Sequence, residues 1–352
     1  MAVKDPESVF QEYKKEVETE LDAYFRWKLS NNNDDLYLKI VGMIRDYTMR
    51  GGKRIRPILI NLGHDLLSDH DSRVVKASIS IELSQSYFLI QDDIMDQSDI
   101  RRGKPSFHME VLEKIFHGDM AMRRLAENIG IVASDIAESF SHEAIFQSGL
   151  SSDLAVIADR ELTSIFESTG YGQIVDIFSS FTENFGAGDL IKLHLLKTAR
   201  YTIEGPLCMG AMIADPQCNL SNLRNYGNLL GVAFQVYDDI LGMFGDEKTL
   251  GKSVKSDVNE GKKTLLILKA IENSSDGDKT FIKRCISSGN VSDSDFRRLQ
   301  DIVRDSGSLK YSQDLVSKFN KRAKQYLEDV TGREDIKKVL AWMGDYIISR
   351  TY

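Results

Sequence analysis

Prolines are rare in this chain of 352 residues, and their spacing constrains the fold more than any other feature. Only five occur, at Pro6, Pro57, Pro105, Pro206 and Pro216. A proline interrupts a helix because it lacks the backbone N–H and its ring clashes with the preceding turn. The long windows between these prolines carry apolar residues at every third or fourth position, the period of a helix with one buried face. The sequence therefore predicts an all-α fold.

The predicted helices follow one another at close intervals. The first begins at Asp5-Pro6, where an aspartate able to cap the helix precedes a proline at the first helical position. The turn clusters at 31–35 and 273–277 are too short to be domain linkers, so residues 1–352 are predicted to form a single domain. The later predicted helices span residues 36–49, 55–68, 72–97, 107–116, 121–147, 152–168, 171–180, 187–213, 219–243, 262–272, 278–286, 293–305, 308–327 and 333–349.

Composition excludes several classes of protein. The net charge is −8 and the two signs are interspersed, which argues against a nucleic-acid-binding protein with a broad basic face. Three cysteines without CxxC spacing predict neither a disulfide framework nor a zinc site, and they fit a reducing compartment. No stretch approaches the roughly 18 apolar residues that a membrane span requires. We expect a cytoplasmic protein with no membrane span and no nucleic-acid partner.

Two clusters of aspartates stand out in this helical pattern. We call Asp92, Asp93 and Asp96 the first aspartate motif, and Asp238 and Asp239 the second aspartate motif. Asp92 and Asp96 are four residues apart, so on a helix they share one face. Crowded carboxylates repel one another unless cations lie between them, and oxygen ligands short of a full cage suit Mg²⁺ that also binds phosphate oxygens. The pattern predicts metal-assisted departure of a phosphate group.

Basic residues accompany the first aspartate motif. Arg101 and Arg102 follow it directly, and an arginine fork matches phosphate oxygens in a bidentate manner. A second basic group, Lys53 and Arg56, follows a pair of glycines at the predicted start of a helix, where backbone N–H groups also favour anions. This second group predicts an anion pocket that needs no metal.

These motifs resemble those of the trans-isoprenyl diphosphate synthases, the family that includes farnesyl and geranylgeranyl diphosphate synthases. The resemblance implies an isoprenoid synthase type I fold, which is a single-domain bundle of long helices around a deep central cavity. It also implies a homodimer, and two aspartate motifs that face each other at the mouth of the cavity. The matching segments, in the family's order, are GGKRIRP at 51–57, DDIMDQSDIRRGKP at 92–105, GQIVD at 172–176, KT at 197–198, FQVYDDILGMFGD at 234–246 and GKSVKSDVNEGKKT at 251–264.

The resemblance also implies a role for each matching residue. The residues that would bind several Mg²⁺ ions are Asp92, Asp96 and Asp238, supported by Asp93, Asp176 and Asp239. Those that would contact the allylic diphosphate are Arg101, Lys197 and Lys252, and Lys262 is a further candidate for substrate binding. Those that would hold isopentenyl diphosphate are Gly52, Lys53, Arg56, Gln85 and Arg102. Those that would face the developing positive charge, and so act in catalysis, are Lys197 through its carbonyl, Thr198 and Gln235.

The implied reaction joins isopentenyl diphosphate to dimethylallyl, geranyl or farnesyl diphosphate. Mg²⁺ acts as a Lewis acid on the leaving diphosphate, and a dry cavity protects the allylic cation from water. Tyr87 and Phe88 lie five and four residues before Asp92, about one helical turn away. Two aromatic rings there would form the floor of the cavity, so a C15 to C20 product is expected, with the choice between them open.

The sequence departs from the family pattern in two places. Gly242 stands where the second motif usually has a third aspartate, which leaves the number of metal ligands there open. The segment from His117 to Asn128 is longer and more charged than in the family. The alternative functions are those of a class I terpene cyclase, which would not need Lys53 and Arg56, and of a non-catalytic regulatory subunit, which would be expected to lose aspartates or the basic motif.

Overall fold

The computed structural model describes residues 5–179, 181–182, 184–246 and 253–348. Its regular structure is almost entirely helical, which confirms the predicted all-α class. Helices α1 to α16 span Pro6–Ser30, Asp35–Met49, Ile55–Asp65, Ser72–Met95, Phe107–Phe116, Arg123–Gln147, Ser152–Ser179, Ala187–His194, Gly205–Ala214, Ser221–Phe244, Ser256–Asn259, Leu265–Asn273, Asp276–Ser287, Asp293–Asp305, Ser308–Glu328 and Glu334–Ile348. A 3₁₀ turn covers Met120–Met122, and a π-helical segment, Leu195–Glu204, joins α8 to α9.

The predicted helix 187–213 is interrupted by the π-helical segment, and the short helix Ser256–Asn259 was not predicted. Two further features differ from the predicted elements. The predicted break between helices 152–168 and 171–180 is wrong, because α7 runs unbroken through Gly170. A glycine lowers helix stability by about 1 kcal/mol relative to alanine, which a helix of this length tolerates. The second difference is a short hairpin that helical periodicity does not reveal: β1, Ile100–Arg101, pairs antiparallel with β2, Lys104–Pro105.

The described residues divide into two compact units. The first contains the residues up to Leu162 together with Pro206–Cys218 and Gly332–Val339. The second contains Thr163–Gly205, Asn219–Thr331 and the residues from Leu340 onward. Each unit has its own cluster of buried apolar side chains. The matching motifs are distributed over both units, so the single domain stays a prediction.

Small residues let α6 approach α4 closely in the first unit. Ala133 and Ala137 are buried on α6. At Gly130, an added Cβ would lie 2.9 Å from the Cδ1 atom of Ile94. Because Ile94 belongs to the last turn of α4, this contact fixes the end of the helix that carries the first aspartate motif.

No helix in the described ranges is long and apolar enough to cross a bilayer.

The first unit contains a helix crossing that depends on two glycines. A Cβ at Gly63 of α3 would lie 2.1 Å from the carbonyl oxygen of Leu207, and a Cβ at Gly210 of α9 would lie 1.8 Å from that of Ile60. The backbones of α3 and α9 are therefore in direct contact.

We predict that Gly210→Ala destabilises the protein by about 1–3 kcal/mol, because the methyl group forces the two backbones apart. Gly42 in α2 is the matched control, since an added Cβ there meets no atom within 4 Å. Gly42→Ala should stabilise the protein by about 0.4–1 kcal/mol. Urea unfolding of both variants checks the prediction, and equal midpoints for Gly210→Ala and the unmodified protein would contradict it.

Candidate active site

The first aspartate motif lies where α4 ends. Gln97 adopts a left-handed conformation with φ 52°. Its N–H donates to the Ile94 carbonyl at 3.3 Å, and the Ser98 N–H donates to the Asp93 carbonyl at 2.8 Å, the two bonds of a Schellman motif. The helix therefore stops at Asp96, and its carboxylates lie at the negative end of the helix dipole. Negative charge there is unfavourable unless a cation offsets it.

The adjacent aspartates of this motif have different environments. Asp93 is fully buried and accepts hydrogen bonds from the Tyr47 hydroxyl and the Arg101 Nε, both at 2.7 Å. Burial raises the pKa of Asp93, while Arg101 and Tyr47 oppose that shift. The Asp92 side chain is 29% exposed, with its Oδ2 at 3.6 Å from Arg101 Nη2. Asp93 thus anchors the arginine, and Asp92 is accessible to a ligand.

The hairpin directs its two arginines to different places. Arg102 and Gly103 have φ of 53° and 71°, the positive values that a two-residue type I′ turn requires. Arg101 on β1 reaches Asp93, whereas the Arg102 Nη1 donates to the Gly51 carbonyl at 2.6 Å. Although Arg101 and Arg102 are adjacent in sequence, the first contacts the aspartate motif and the second contacts the glycine pair.

A basic cluster surrounds Gly52. A Cβ at Gly52 would lie 3.6 Å from guanidinium nitrogens of both Arg102 and Arg54. The pKa of Arg102 is lowered, first by desolvation, with Arg54 and Arg56 acting in the same direction through their positive charge. The guanidinium groups of Arg102 and Arg54 therefore border the space beside Gly52, and Arg56 adds positive charge that acts on Arg102. Such a site suits an anion with several oxygens.

The predicted members of this pocket differ in their contacts. The Arg56 Nη1 donates to the Gln85 Oε1, so two residues that the resemblance implied for one pocket are brought together. Lys53 is half-buried beside them in sequence. Arg54 was missed by sequence reasoning. It is buried, and it pairs with the buried Glu82, so its contribution to net charge is largely offset.

Tyr87 and Phe88 lie against each other, with ring centroids 4.9 Å apart at an angle of 62°. The Tyr87 hydroxyl shares a hydrogen bond with the side chain of Gln91. The Gln91 Nε2 in turn donates to the Ser134 Oγ of α6 at 3.1 Å. This chain of hydrogen bonds holds Tyr87 on the side of α4 that faces α6.

In the second unit, glycines hold the π-helical segment that carries Lys197 and Thr198. A Cβ at Gly172 would lie 2.7 Å from the Lys197 nitrogen, and one at Gly231 would lie 2.4 Å from the Cα of Ala199. The segment is therefore in backbone contact with both α7 and α10. π-Helical segments are rare in proteins, and those that do occur are often found at functional sites.

A chain of polar contacts links the predicted residues of the second unit. The Lys197 Nζ donates to the Asp176 Oδ2 at 2.7 Å. The Thr198 hydroxyl donates to the Gln235 Oε1 at 2.8 Å, and the Gln235 Nε2 donates to the Asp239 Oδ1 at 2.9 Å. All five residues were predicted as site residues, and they come from the three matching segments 172–176, 197–198 and 234–246. Their proximity shows that these segments contribute to one polar group.

Asp239 is buried and incompletely paired. Its Oδ2 has no hydrogen-bond partner among the described residues, and the His194 Nε2 lies 3.7 Å from it. Burial, followed by the charge of Asp257, raises the pKa of Asp239 well above its usual value. Burial lowers the pKa of His194 to about 4, so it is neutral at pH 7. Sequence reasoning missed His194, because a single histidine on an apolar helix carries no signal.

Gly242 faces a carboxylate from another helix. A Cβ at Gly242 would lie 2.5 Å from the Asp257 Oδ2. Asp257 was not predicted as a site residue, although it lies within the matching segment 251–264. The predicted Lys262 pairs with Glu260 and has its Nζ 3.9 Å from the Asp257 Oδ1. The predicted Lys252 lies outside the described residues.

The carboxylates suit Mg²⁺ that arrives with a diphosphate. Among the described residues, no three histidine, cysteine, aspartate or glutamate side chains lie close enough to hold a metal unaided. Mg²⁺ commonly binds through one or two carboxylates and completes its octahedron with water and phosphate oxygens. The accessible Asp92 and the unpaired Asp239 oxygen offer that kind of donor. The residues present therefore fit the ion.

Comparison with known proteins agrees with this chemistry. The sequence model of the polyprenyl synthetase family matches residues 39–303. The chain belongs to this family. The match extends over both compact units, and it confirms the resemblance inferred from the six motifs.

Similar proteins within the polyprenyl synthetase family cover nearly the whole chain. A geranylgeranyl diphosphate synthase of Sulfolobus acidocaldarius is 29% identical over 97% of this chain and 99% of its own. A geranylfarnesyl diphosphate synthase of Aeropyrum pernix is 30% identical over 85% of this chain and 91% of its own. A crystal structure of the geranylgeranyl pyrophosphate synthase of Corynebacterium glutamicum, complexed with isoprenyl diphosphate and magnesium, has a TM-score of 0.88 at 27% identity, covering 99% of this chain and all of that one.

We predict that Tyr47→Phe destabilises the protein by about 1–3 kcal/mol, because the buried Asp93 carboxylate loses a donor. Tyr311→Phe is the control, since Tyr311 is 45% exposed and removal of its hydroxyl leaves no buried group without a hydrogen bond. That variant should change the free energy of unfolding by no more than about 0.5 kcal/mol. Urea unfolding of both variants compares them, and equal effects would contradict the role given to Tyr47.

Proposed function

We propose that this protein is a short-chain trans-prenyl diphosphate synthase. It condenses isopentenyl diphosphate head-to-tail with dimethylallyl, geranyl or farnesyl diphosphate, depends on Mg²⁺ and releases a C15 to C20 diphosphate. The curated relatives act at or near this length, and their names support the substrate class.

The observation that carries the proposal is the division of the two hairpin arginines. Arg101 lies with the carboxylates of the first aspartate motif, whereas Arg102 lies beside Gly52 and the guanidinium group of Arg54, with the positive charge of Arg56 also acting on it. The first environment requires a cation, so a diphosphate there is neutralised and can depart. The second environment is already positive, so a diphosphate there is held without metal and retained. Two diphosphates with opposite fates are what chain elongation needs.

In this proposal, the predicted site residues would act as follows. When bound, Mg²⁺ supplies Lewis-acid neutralisation of the departing diphosphate. Asp92, Asp96 and Asp238 would hold the metal ions through which that diphosphate is oriented, and Arg101 would contact the diphosphate itself. Gly52, Lys53, Arg56, Gln85 and Arg102 hold isopentenyl diphosphate. As the allylic C–O bond breaks, positive charge develops on carbon.

Oxygen dipoles meet that positive charge. The Thr198 hydroxyl and the Gln235 amide are already held by hydrogen bonds within the second unit. Groups fixed in advance stabilise charge without reorganisation. The Lys197 carbonyl belongs to the same π-helical segment, and its ammonium joins the diphosphate contacts. The double bond of isopentenyl diphosphate then attacks, and the departed diphosphate accepts the final proton.

The synthase function is favoured over the two alternative functions. A class I terpene cyclase acts on one diphosphate and has no need of the cluster around Gly52. A regulatory subunit would be expected to have lost one of the two groups, whereas both are present here. We further propose that the protein acts in the cytoplasm, which its cysteine content fits.

The decisive assay incubates the protein with isopentenyl diphosphate and each allylic diphosphate, with and without Mg²⁺, and measures product length. We expect elongation that requires Mg²⁺. Asp92→Ala should lower kcat by several orders of magnitude, because a ligand of the metal is lost. The exposed Asp293→Ala is the control and should leave kcat unchanged. Failure to elongate any primer would disprove the transferase function.

Product length tests the predicted floor of the cavity. Tyr87→Ala removes a ring held toward α6 and should lengthen the products by one or more C5 units. Tyr87→Phe keeps the ring and should keep the product length, which separates ring volume from the hydrogen bond to Gln91. Chromatography of the dephosphorylated products measures the distribution. An unchanged distribution in Tyr87→Ala would remove Tyr87 from this role.

We propose that the protein forms a homodimer through α6. Leu125 and Val132 on this helix are 49% and 59% exposed, and they border an apolar cavity of about 400 Å³ that Ile40 and Phe116 also line. A second copy would cover these residues symmetrically. Light scattering should give twice the mass of one chain, and Val132→Asp should give a folded monomer. A monomeric unmodified protein would contradict the proposal.

A further inference from the structure

We infer that Arg50 is a positioning residue for the pocket that holds isopentenyl diphosphate. Its guanidinium joins the end of α2, which leads into Gly51 and Gly52, to the hairpin that carries Arg102. Arg50 does not contact the substrate in this role, but it fixes the distance between the two backbone segments that border the pocket. Because the role concerns isopentenyl diphosphate, it rests on the proposed function.

Two arginines connect these segments in opposite directions. The Arg50 Nη1 donates to the Pro105 carbonyl at the end of the hairpin, and the Arg102 Nη1 donates to the Gly51 carbonyl at 2.6 Å. Arg102 is predicted to bind diphosphate, so the substrate competes with Gly51 for its guanidinium. The Arg50 bond involves no predicted substrate contact, so it holds the two segments together whether the pocket is empty or filled.

The hairpin depends on such bonds for its position. None of its residues, 100–105, is buried, and a hairpin of two strands is at most marginally stable alone. Arg101 is held by the buried Asp93, whereas the partner of Arg102 is a backbone carbonyl of the glycine pair. The position of Arg102 is therefore more sensitive than that of Arg101 to a shift between the hairpin and the end of α2.

The Arg50 guanidinium is itself fixed in place. Its side chain is 5% exposed, and its Nη2 pairs with Glu110, whose side chain is 7% exposed. The guanidinium carbon also lies 5.0 Å from the centroid of the Tyr47 ring. A planar guanidinium with both Nη atoms bonded to fixed partners has little freedom to turn. The bond to Pro105 is therefore a rigid connection between α2 and the hairpin.

A second arginine contacts the other side of the hairpin, and it is more exposed. Arg123, from the charged segment 117–128, donates from its Nη2 to the Asp99 Oδ1 at 2.8 Å, just before β1. The two side chains are 27% and 54% exposed. Exposed ion pairs contribute little, because water screens them. Loss of Arg50 should therefore displace the hairpin more than loss of Arg123.

The ordinary alternative is that Arg50 only neutralises the buried Glu110. Glu110 also pairs with Lys114, one turn later on α5, so it has a second cation. Neutralisation alone also gives no reason for the bond to the Pro105 carbonyl. The two roles differ in their effect on the enzyme: loss of a neutralising charge weakens the fold as a whole, whereas loss of the connection weakens the binding of one substrate.

The test compares the KM values for the two substrates in the presence of Mg²⁺. Arg50→Lys keeps the charge beside Glu110, but a single ammonium does not reproduce the two-armed contact. We expect the KM for isopentenyl diphosphate to rise about tenfold, while kcat and the KM for the allylic diphosphate change by less than about twofold, because only the acceptor pocket is misplaced. Arg45→Lys is the matched control, since Arg45 also lies on α2 but pairs with Asp22 on α1. It should leave all three values unchanged.

A double variant removes the buried pair without leaving an unpaired charge. Arg50→Met combined with Glu110→Leu replaces both side chains by apolar ones, a change that proteins often tolerate, and it removes the bond to Pro105. Isothermal titration calorimetry without Mg²⁺ measures the binding of isopentenyl diphosphate directly. Both Arg50 variants should bind it about tenfold more weakly than the unmodified protein. Circular dichroism melting confirms that each variant is folded, and Arg50→Lys decides alone if the double variant is not.

The outcomes separate this role of Arg50 from the proposed function. If Arg50→Lys has the KM and the dissociation constant of the unmodified protein for isopentenyl diphosphate, Arg50 does not position the pocket and the function stands. If the KM values for both substrates rise equally, Arg50 only supports the fold. If the unmodified protein elongates no primer, the proposed function is wrong, and calorimetry still decides whether Arg50 positions a diphosphate pocket.

Discussion

Negative charge crowded near the ends of two helices is the constraint on which the described structure depends. In each aspartate motif, one of two adjacent aspartates is buried and the other is accessible. Asp93 is held by Tyr47 and Arg101, and Asp239 is held by Gln235. Burying a carboxylate is costly unless it is hydrogen-bonded, and each of these two has at least one donor. The buried aspartate of each motif therefore holds its hydrogen-bond donors in place, and these donors lie next to the accessible aspartate of the same motif.

Close approach of helix backbones supports these groups. Gly172 and Gly231 allow α7 and α10 to contact the segment of Lys197 and Thr198, and Gly130 allows α6 to contact the end of α4. The predicted site residues are therefore carried by backbone segments that are in direct contact, and this contact restricts the movement of those segments. Precision of this kind is needed where charge develops on carbon, because a displaced dipole loses most of its stabilising effect.

The sequence predicted the helices and the residue types of the site, because both leave local signals. The period of apolar residues gave α1 to α6 within a few residues, and the Asp5 cap was placed correctly. The spacing of Asp92 and Asp96 pointed to metal. The hairpin was not predicted, because two-residue strands have no periodicity. The partners of buried charge were not predicted either: Tyr47 lies on α2 and Asp257 on a four-residue helix, and neither carries a local mark of the group it meets. The roles of the site residues stay predictions.

The π-helical segment Leu195–Glu204 has a consequence for how this protein tolerates change. Its i→i+5 hydrogen bonds wind the chain more loosely than an α-helix does, so the register of its side chains depends on the exact number of residues in the segment. Removing one residue would return the backbone to α geometry and rotate the residues before the deletion by about 100° relative to those after it. Lys197 would then leave Asp176, while residues after the deletion kept their contact with α10. Insertions and deletions in this stretch should therefore be tolerated less well than substitutions, because they change the register of every side chain on one side of the change.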